Sequence, residues 1–201
     1  MLATRNPHKL REFKRLLAPG GFTVSPLPEG IELPPEDGST FAENALPKAR
    51  TAALATGRPA IADDSGIEAA ALGGRPGVRS ARYAGKDVSD EANLEKLLRE
   101  APAGSELRYV CVIAHVDPHS GEEHLFEGEC RGRMAVEPRG TGGFGYDPAF
   151  VPEDGSDGRT MAELSDEQKD AISHRGRAVR SLVEWLGASG QSPARARQQE
   201  P

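Results

Sequence analysis

Residues 108–116 read RYVCVIAHV, and this stretch decides the fold class. Its β-branched and aromatic residues make it the best strand in the chain. Pro118 to Gly121 turns it back, which predicts a second strand around His124 to Met134. Just upstream, Ser89 to Arg99 carries Leu94, Leu97 and Leu98 at helical spacing. Further back, Thr40-Phe-Ala-Glu43 has the form of a capping box and opens an alanine-rich helix, in which Pro47 is expected to kink the early turns. At the start, Asn6 and Pro7 suit the N-cap and first position of a helix that puts Leu10, Phe13, Leu16 and Leu17 on one face and stops at Pro19-Gly20-Gly21. Downstream, a short acidic helix is predicted near Ser165 and a longer one over His174 to Leu186, with Val179, Leu182, Val183 and Leu186 on one side. Helices and strands alternate, so the class is α/β with a mixed sheet.

Between these elements, residues 25–38 are rich in proline and acidic side chains and read as a loop. Ala60 to Ala62 reads as a short strand running into Asp63-Asp64, and the glycine-rich segment 73–85 as a loop. Residues 1–187 are expected to form one domain. The last fifteen residues, GASGQSPARARQQEP, are small and polar, and a disordered tail is expected from 188 to 201.

A chain of 201 residues with 37% hydrophobic residues and 28% charged residues is expected to be soluble and to bury a core. Its net charge of −6 argues against general nucleic-acid binding, which needs basic surface to neutralise many phosphates. Cys111 and Cys130 have no metal-ligand spacing and read as reduced core residues. No apolar run is long enough to span a membrane, and no signal peptide precedes the first motif, so a cytoplasmic place is expected.

Four constellations could carry chemistry. The turn Thr4-Arg5-Asn6-Pro7-His8-Lys9 leads into a helix N-terminus, whose free N–H groups and dipole suit a phosphate, with Lys9 and Arg5 adding charge. On its own the stretch reads first as a capped helix with solvated cations. The pair Asp63-Asp64, with Glu36 and Glu43 as further carboxylates, offers oxygen ligands to a hard cation such as Mg²⁺, or is a turn in which Asp64 and Ser65 bond their own backbone. Gly140-Thr-Gly-Gly-Phe-Gly145 matches a dinucleotide-binding pattern by letter, yet Tyr146-Asp147-Pro148 follows where a helix would have to start. What it leaves is a glycine loop presenting Phe144 and Tyr146 beside Asp147, either a wall for a flat base or a packed turn. Lys169, then Ser173-His174-Arg175, puts donors at the start of the last helix, as a site or as ordinary surface.

In this order the motifs LATRNPHKLREF, TFAENALPKA, IADDSGIEAAALGGRPGVRSARYAG, GTGGFGYDPAFVP and ELSDEQKDAISHRG resemble the inosine triphosphate pyrophosphatase family, the noncanonical purine NTP pyrophosphatases or XTP/dITP diphosphatases. The resemblance runs from Leu2 to about Leu186. It implies an elongated mixed α/β fold of two lobes around a cleft, a homodimer, and Mg²⁺-dependent hydrolysis of ITP, dITP and XTP to the monophosphate and pyrophosphate. Carried over by motif, Thr4, Arg5, Asn6, Pro7, His8, Lys9 and Lys48 would hold the triphosphate. Asp64 would be the base and a metal ligand, with Glu36 and Asp63 supporting the metal. Ser65 would touch the substrate, and Phe144, Gly145, Tyr146, Asp147, Lys169, His174 and Arg175 would form the base pocket. Two departures stand out: Arg5 replaces a small residue usual in the family, and only Met1-Leu2-Ala3 precede Thr4. Arg75, Arg79 and Arg82 are assigned only to loop structure, a subunit contact or the substrate's surroundings. A pyrophosphatase of another base preference, or a nucleotide sensor without catalysis, are the alternative readings.

Overall fold

The structure, a computed structural model, describes residues 1–155 and 157–189. Its helices are α1 (Pro7–Leu17), α2 (Phe41–Thr56), α3 (Asp90–Glu100), α4 (Asp166–Ile172) and α5 (His174–Ala188), and its strands β1 (Ala60–Ala69), β2 (Glu106–Val116), β3 (Glu123–Met134) and β4 (Phe150–Pro152). The strands form one sheet in the order β1-β2-β3-β4. β3 and β4 are antiparallel, with Arg133 opposite Val151. Leu2 makes isolated parallel bridges to both Pro26 and Ile61, apart from the four named strands.

Local chemistry explains the helix ends. Asn6 caps α1 by accepting from the amides of His8 and Lys9. Thr40 caps α2 by accepting from Glu43 N, and Gly57 closes it in the left-handed conformation at φ 61°. α2 runs on through Pro47, whose ring removes one helical donor without ending the helix, because a row of buried alanines seats it on both sides of that point.

The largest difference from the sequence reading is β1. It runs for ten residues rather than three, so the two aspartates lie inside a strand and not in the turn that follows one. Asp, Ser and Gly are poor strand formers, and their place in the ladder is decided by pairing with β2 rather than by propensity. The 73–85 segment also holds a 3-10 turn, Gly77–Arg82. Ser80 within it accepts from Ile67 N at 2.9 Å and donates to Gly77 O at 2.6 Å, which ties this loop to β1. α5 extends two residues past the expected Leu186, and tail residues 190–201 lie outside the described residues.

The chain divides into two compact units. One comprises Met1–Asp64, Val112–Glu127 and the chain from Arg177; the other comprises Ser65–Cys111 and Gly128–Gly176. The first has an alanine-rich core of Ala45, Ala49, Ala52, Ala53, Ala60, Ala62 and Ala114 with Leu27 and Val116. The second packs Ile67, Leu97, Leu107, Tyr109, Met134, Phe150 and Met161, a core of larger side chains.

Candidate active site

The first unit gathers the acidic and basic residues. Lys48 projects from α2 and is buried, donating to Asp63 O at 2.8 Å and to Glu36 in a short ion pair. Lys9, in the first turn of α1, pairs with Asp63 Oδ2 at 3.0 Å. Asp64, on β1, accepts from Asn44 Nδ2 at 2.9 Å, and Asn44 in turn accepts from Gly38 N at 2.8 Å. Three carboxylates and two lysines are thus fixed by two helices, one strand and the loop that carries Glu36.

Electrostatics separates the carboxylates. Burial raises the Asp64 pKa, opposed by Lys48 and the Asn44 hydrogen bond and reinforced by Glu36. Glu36 is also pushed up by burial, but Lys48 outweighs that and holds it below its ordinary value. The two carboxylates are thus shifted in opposite directions. Burial next to negative charge is what a divalent cation would offset, and the donors are the carboxylate oxygens that a hard cation takes. Among the described residues no three His, Cys, Asp or Glu side chains converge into a closed cage. A cation completed by substrate phosphates needs only one or two carboxylates, and Asp64 and Glu36 are the side chains that would hold it.

Not every expected residue sits here. Glu43 accepts from Ser39 N and Ser39 Oγ, both at 2.7 Å, so its carboxylate locks the start of α2 rather than joining Asp64. Arg5 donates to Leu27 O at 3.0 Å and to Pro28 O and Ile31 O at 2.8 Å, spending its guanidinium on the proline-rich loop. The α1 N-terminus does not offer free amides either. Asn6 N donates to Thr4 Oγ1, His8 N and Lys9 N to Asn6 Oδ1, and Leu10 N to the Asn6 carbonyl. Pro7 has no N–H. Any pull on a phosphate from this turn comes from Lys9 and the helix dipole. His8 faces Arg11, 2.8 Å from Nδ1.

The second unit gathers the aromatic and donor residues. Asp147 is buried: its Oδ2 accepts from Lys169 Nζ at 2.7 Å and from Phe144 N at 2.9 Å, and its Oδ1 from Tyr109 OH at 3.2 Å. The half-buried Phe144 ring has Lys169 Nζ 5.3 Å and the Arg175 guanidinium 5.0 Å from its centroid. Arg175 also donates to Ser65 Oγ at 2.8 Å. His174 is buried and stacks on Tyr109, with centroids 4.6 Å apart and planes at 9°. Tyr146 is different: its hydroxyl donates to Ser80 O at 2.7 Å, so it anchors the glycine loop from inside. Gly145 N donates to Asp90 Oδ2 at 3.1 Å, at the start of α3. Of the three arginines left open, Arg75 bonds Leu72 O at 3.3 Å and lies 3.8 Å from Glu100, a loop role.

Sequence reasoning missed Asn44, Tyr109 and Asp90. Asn44 was findable, since it follows Glu43 on the buried side of a helix whose other polar residue on that side is Lys48. Tyr109 reads only as a strand aromatic, and nothing local marks its hydroxyl as a partner of Asp147.

The chain as a whole is similar to known proteins. The Ham1 family profile matches residues 1–185. A dITP/XTP pyrophosphatase of Symbiobacterium thermophilum is 53% identical over 192 residues, covering 94% of both chains. One from Geobacter sulfurreducens is 48% identical over 196 residues, covering 94% of this chain and 97% of the other. Among solved structures, the Staphylococcus aureus Ham1 protein superposes with a TM-score of 0.80 at 41% identity, covering 94% of this chain and 97% of the other. A HAM1 protein from Coxiella burnetii gives 0.81 at 42% identity, over 93% and 97%. With a family profile spanning nearly the whole described chain and these relatives matched end to end, the chain belongs to the Ham1 family.

Proposed function

We propose that this protein hydrolyses noncanonical purine nucleoside triphosphates (ITP, dITP and XTP) to the monophosphate and pyrophosphate. The observation that carries the reading is Asp64: a buried carboxylate of raised pKa, held by Asn44 and set among Lys48, Lys9 and Glu36. Hydrolysis of a phosphoanhydride needs a base beside cations that take up charge on the leaving group, and this cluster supplies both. The names of the relatives, dITP/XTP pyrophosphatases, support the same substrate class.

Mg²⁺ is the divalent cation we assign, and when bound it would neutralise phosphate charge and keep Asp64 ionised. In the chain's own chemistry, Asp64 Oδ orients and takes a proton from the attacking water. Asn44 fixes the rotamer of that carboxylate. Lys48 and Lys9 stabilise the departing pyrophosphate once it competes with Glu36 and Asp63 for their ammonium groups. Thr4, Asn6, Pro7 and His8 shape the turn at the phosphates, whereas Arg5 supports the turn from behind its loop.

Base choice is assigned to the second unit. Hypoxanthine and xanthine present a 6-keto acceptor and an N1–H donor, and adenine reverses both. Phe144 offers the stacking face, and Lys169, His174, Arg175 and the backbone around Gly145 the polar edge. Donors left unpaired by adenine cost about 1–3 kcal/mol each, so two mismatches separate ITP from ATP by roughly a hundredfold. The family resemblance further supports a cytoplasmic homodimer, which sedimentation of the purified protein checks.

The test is direct. Purified protein is incubated with Mg²⁺ and ITP, XTP, dITP, ATP or GTP, and products are resolved by anion exchange. Release of pyrophosphate and monophosphate from the first three is expected. Binding of ITP without turnover would favour a sensor, and equal turnover of ATP or GTP a pyrophosphatase of other base preference. Asp64→Asn should abolish turnover while leaving the thermal melt close to wild type; an active variant would remove Asp64 from its role.

A further inference from the structure

Tyr109 lies in the middle of β2, nearly fully buried, and contacts two base-pocket candidates at once. Its hydroxyl donates to Asp147 Oδ1 at 3.2 Å, and its ring stacks on His174 with centroids 4.6 Å apart. The other ring neighbour is Phe150, 4.5 Å away and tilted by 33°, from β4. A strand residue gripped this way has little freedom, so it can transmit a fixed position to side chains carried on looser segments.

Asp147 is the hub of those segments. With Tyr109 on Oδ1, the carboxylate is turned so that Oδ2 meets Phe144 N and Lys169 Nζ. The approach leaves no slack: a Cβ at Gly143, where φ is +67°, would lie 2.1 Å from Asp147 Oδ2. Rotation of this carboxylate would therefore shift Phe144, the proposed stacking face, and Lys169 together. Burial, and then the Asp147 charge, raise the Tyr109 phenol well above its usual pKa, so it stays a donor.

Building on the activity proposed above, we propose that Tyr109 is a specificity-determining positioning residue, which orients Asp147 through its hydroxyl and His174 through its ring so that the pocket discriminates the keto purine edge. It touches no substrate. Its effect is exerted through Phe144 and Lys169 on one side and His174 on the other.

Tyr109→Phe isolates the hydroxyl, because the ring, its stacking and its burial are retained. Steady-state kcat and KM for ITP and ATP are measured for wild type and variant, with thermal melts. The ITP-to-ATP ratio of kcat/KM should fall about fivefold to tenfold, the equivalent of one hydrogen bond, through KM and with kcat for ITP within twofold. Tyr109→Leu, which also removes the stacking, should lose more discrimination; if it fails to fold, Tyr109→Phe decides alone. A Phe variant with unchanged discrimination, or one that loses ITP and ATP turnover in equal proportion, overturns the assignment. A wild-type protein with no preference for ITP instead overturns the proposed substrate class, and this role with it.

Discussion

Asn44 shows how much one side chain can carry. It is buried, accepts from Gly38 N and donates to Asp64, so it ties the loop carrying Glu36 to the proposed base. Asn44→Ala removes a donor to the ionised form of Asp64, which raises a pKa that burial has already raised. The acid limb of the kcat/KM profile should move to higher pH, and the fold should lose about 1–3 kcal/mol by denaturant titration. In the pH dependence of stability the two neighbouring carboxylates oppose each other. Glu36, with its pKa lowered, contributes stability that is full above the ordinary glutamate range and lost as pH falls through its folded value. Asp64, with its pKa raised, costs stability above its folded value, and that cost is relieved as pH falls through it. Arg5 illustrates the limit of reading charge from a motif. Beside Lys9 in the sequence it looks like a phosphate ligand, but carbonyls more than twenty residues away claim it. Arg5→Ala should therefore leave KM for ITP within twofold while lowering Tm by roughly 2–4 °C; a KM effect with an unchanged Tm would restore the substrate role.

The elements that were legible are those whose ends are marked by capping chemistry. Asn6-Pro7 and Thr40 with Glu43 each mark a helix start that the structure keeps, and the helix expected near Ser165 begins there under a capping box with Gln168. The capping role of Glu43 was itself written in that signature, yet Glu43 was also read as a further carboxylate for a cation, and only its bonds to Ser39 in the folded chain remove it from the acidic cluster. β1 was not legible past Ala62, because Asp63 to Gly66 lack both alternation and β propensity, and only the neighbouring strand makes them extended. The glycine loop is the element whose function depends most on backbone. Gly143→Ala places a methyl against Asp147 at a φ that L-residues rarely adopt, so it should raise KM for ITP roughly tenfold. Near-wild-type kinetics in that variant would mean that the loop does not hold Phe144 in place.

At the scale of the whole molecule, the alternation of elements announced an α/β protein, but the division into two units was not readable from residue patterns, and only the family resemblance implied two lobes. Each unit is assembled from segments far apart in the chain, so no linker marks a boundary. The acidic cluster and the aromatic cluster fall in different units, and the chain passes from one to the other at the Asp64–Ser65 bond. A ligand that binds only the folded protein should stabilise it by mass action. At a hundred times its Kd, IMP with Mg²⁺ should raise the free energy of unfolding by about 2.7 kcal/mol, read as a shift in Tm; AMP at the same concentration should shift it far less.

The seat of α2 has one further consequence. Ala45, Ala49, Ala52 and Ala53 are all fully buried, so the helix that carries Asn44 and Lys48 rests on methyl groups. A methyl group has no rotamer to exchange and leaves almost no room for repacking. Selection on this face therefore acts like a machining tolerance: as little as the two carbons added by Ala49→Val displaces the helix instead of being absorbed by its neighbours. Asn44 and Lys48, both carried on that helix, would shift together against the proposed base on β1.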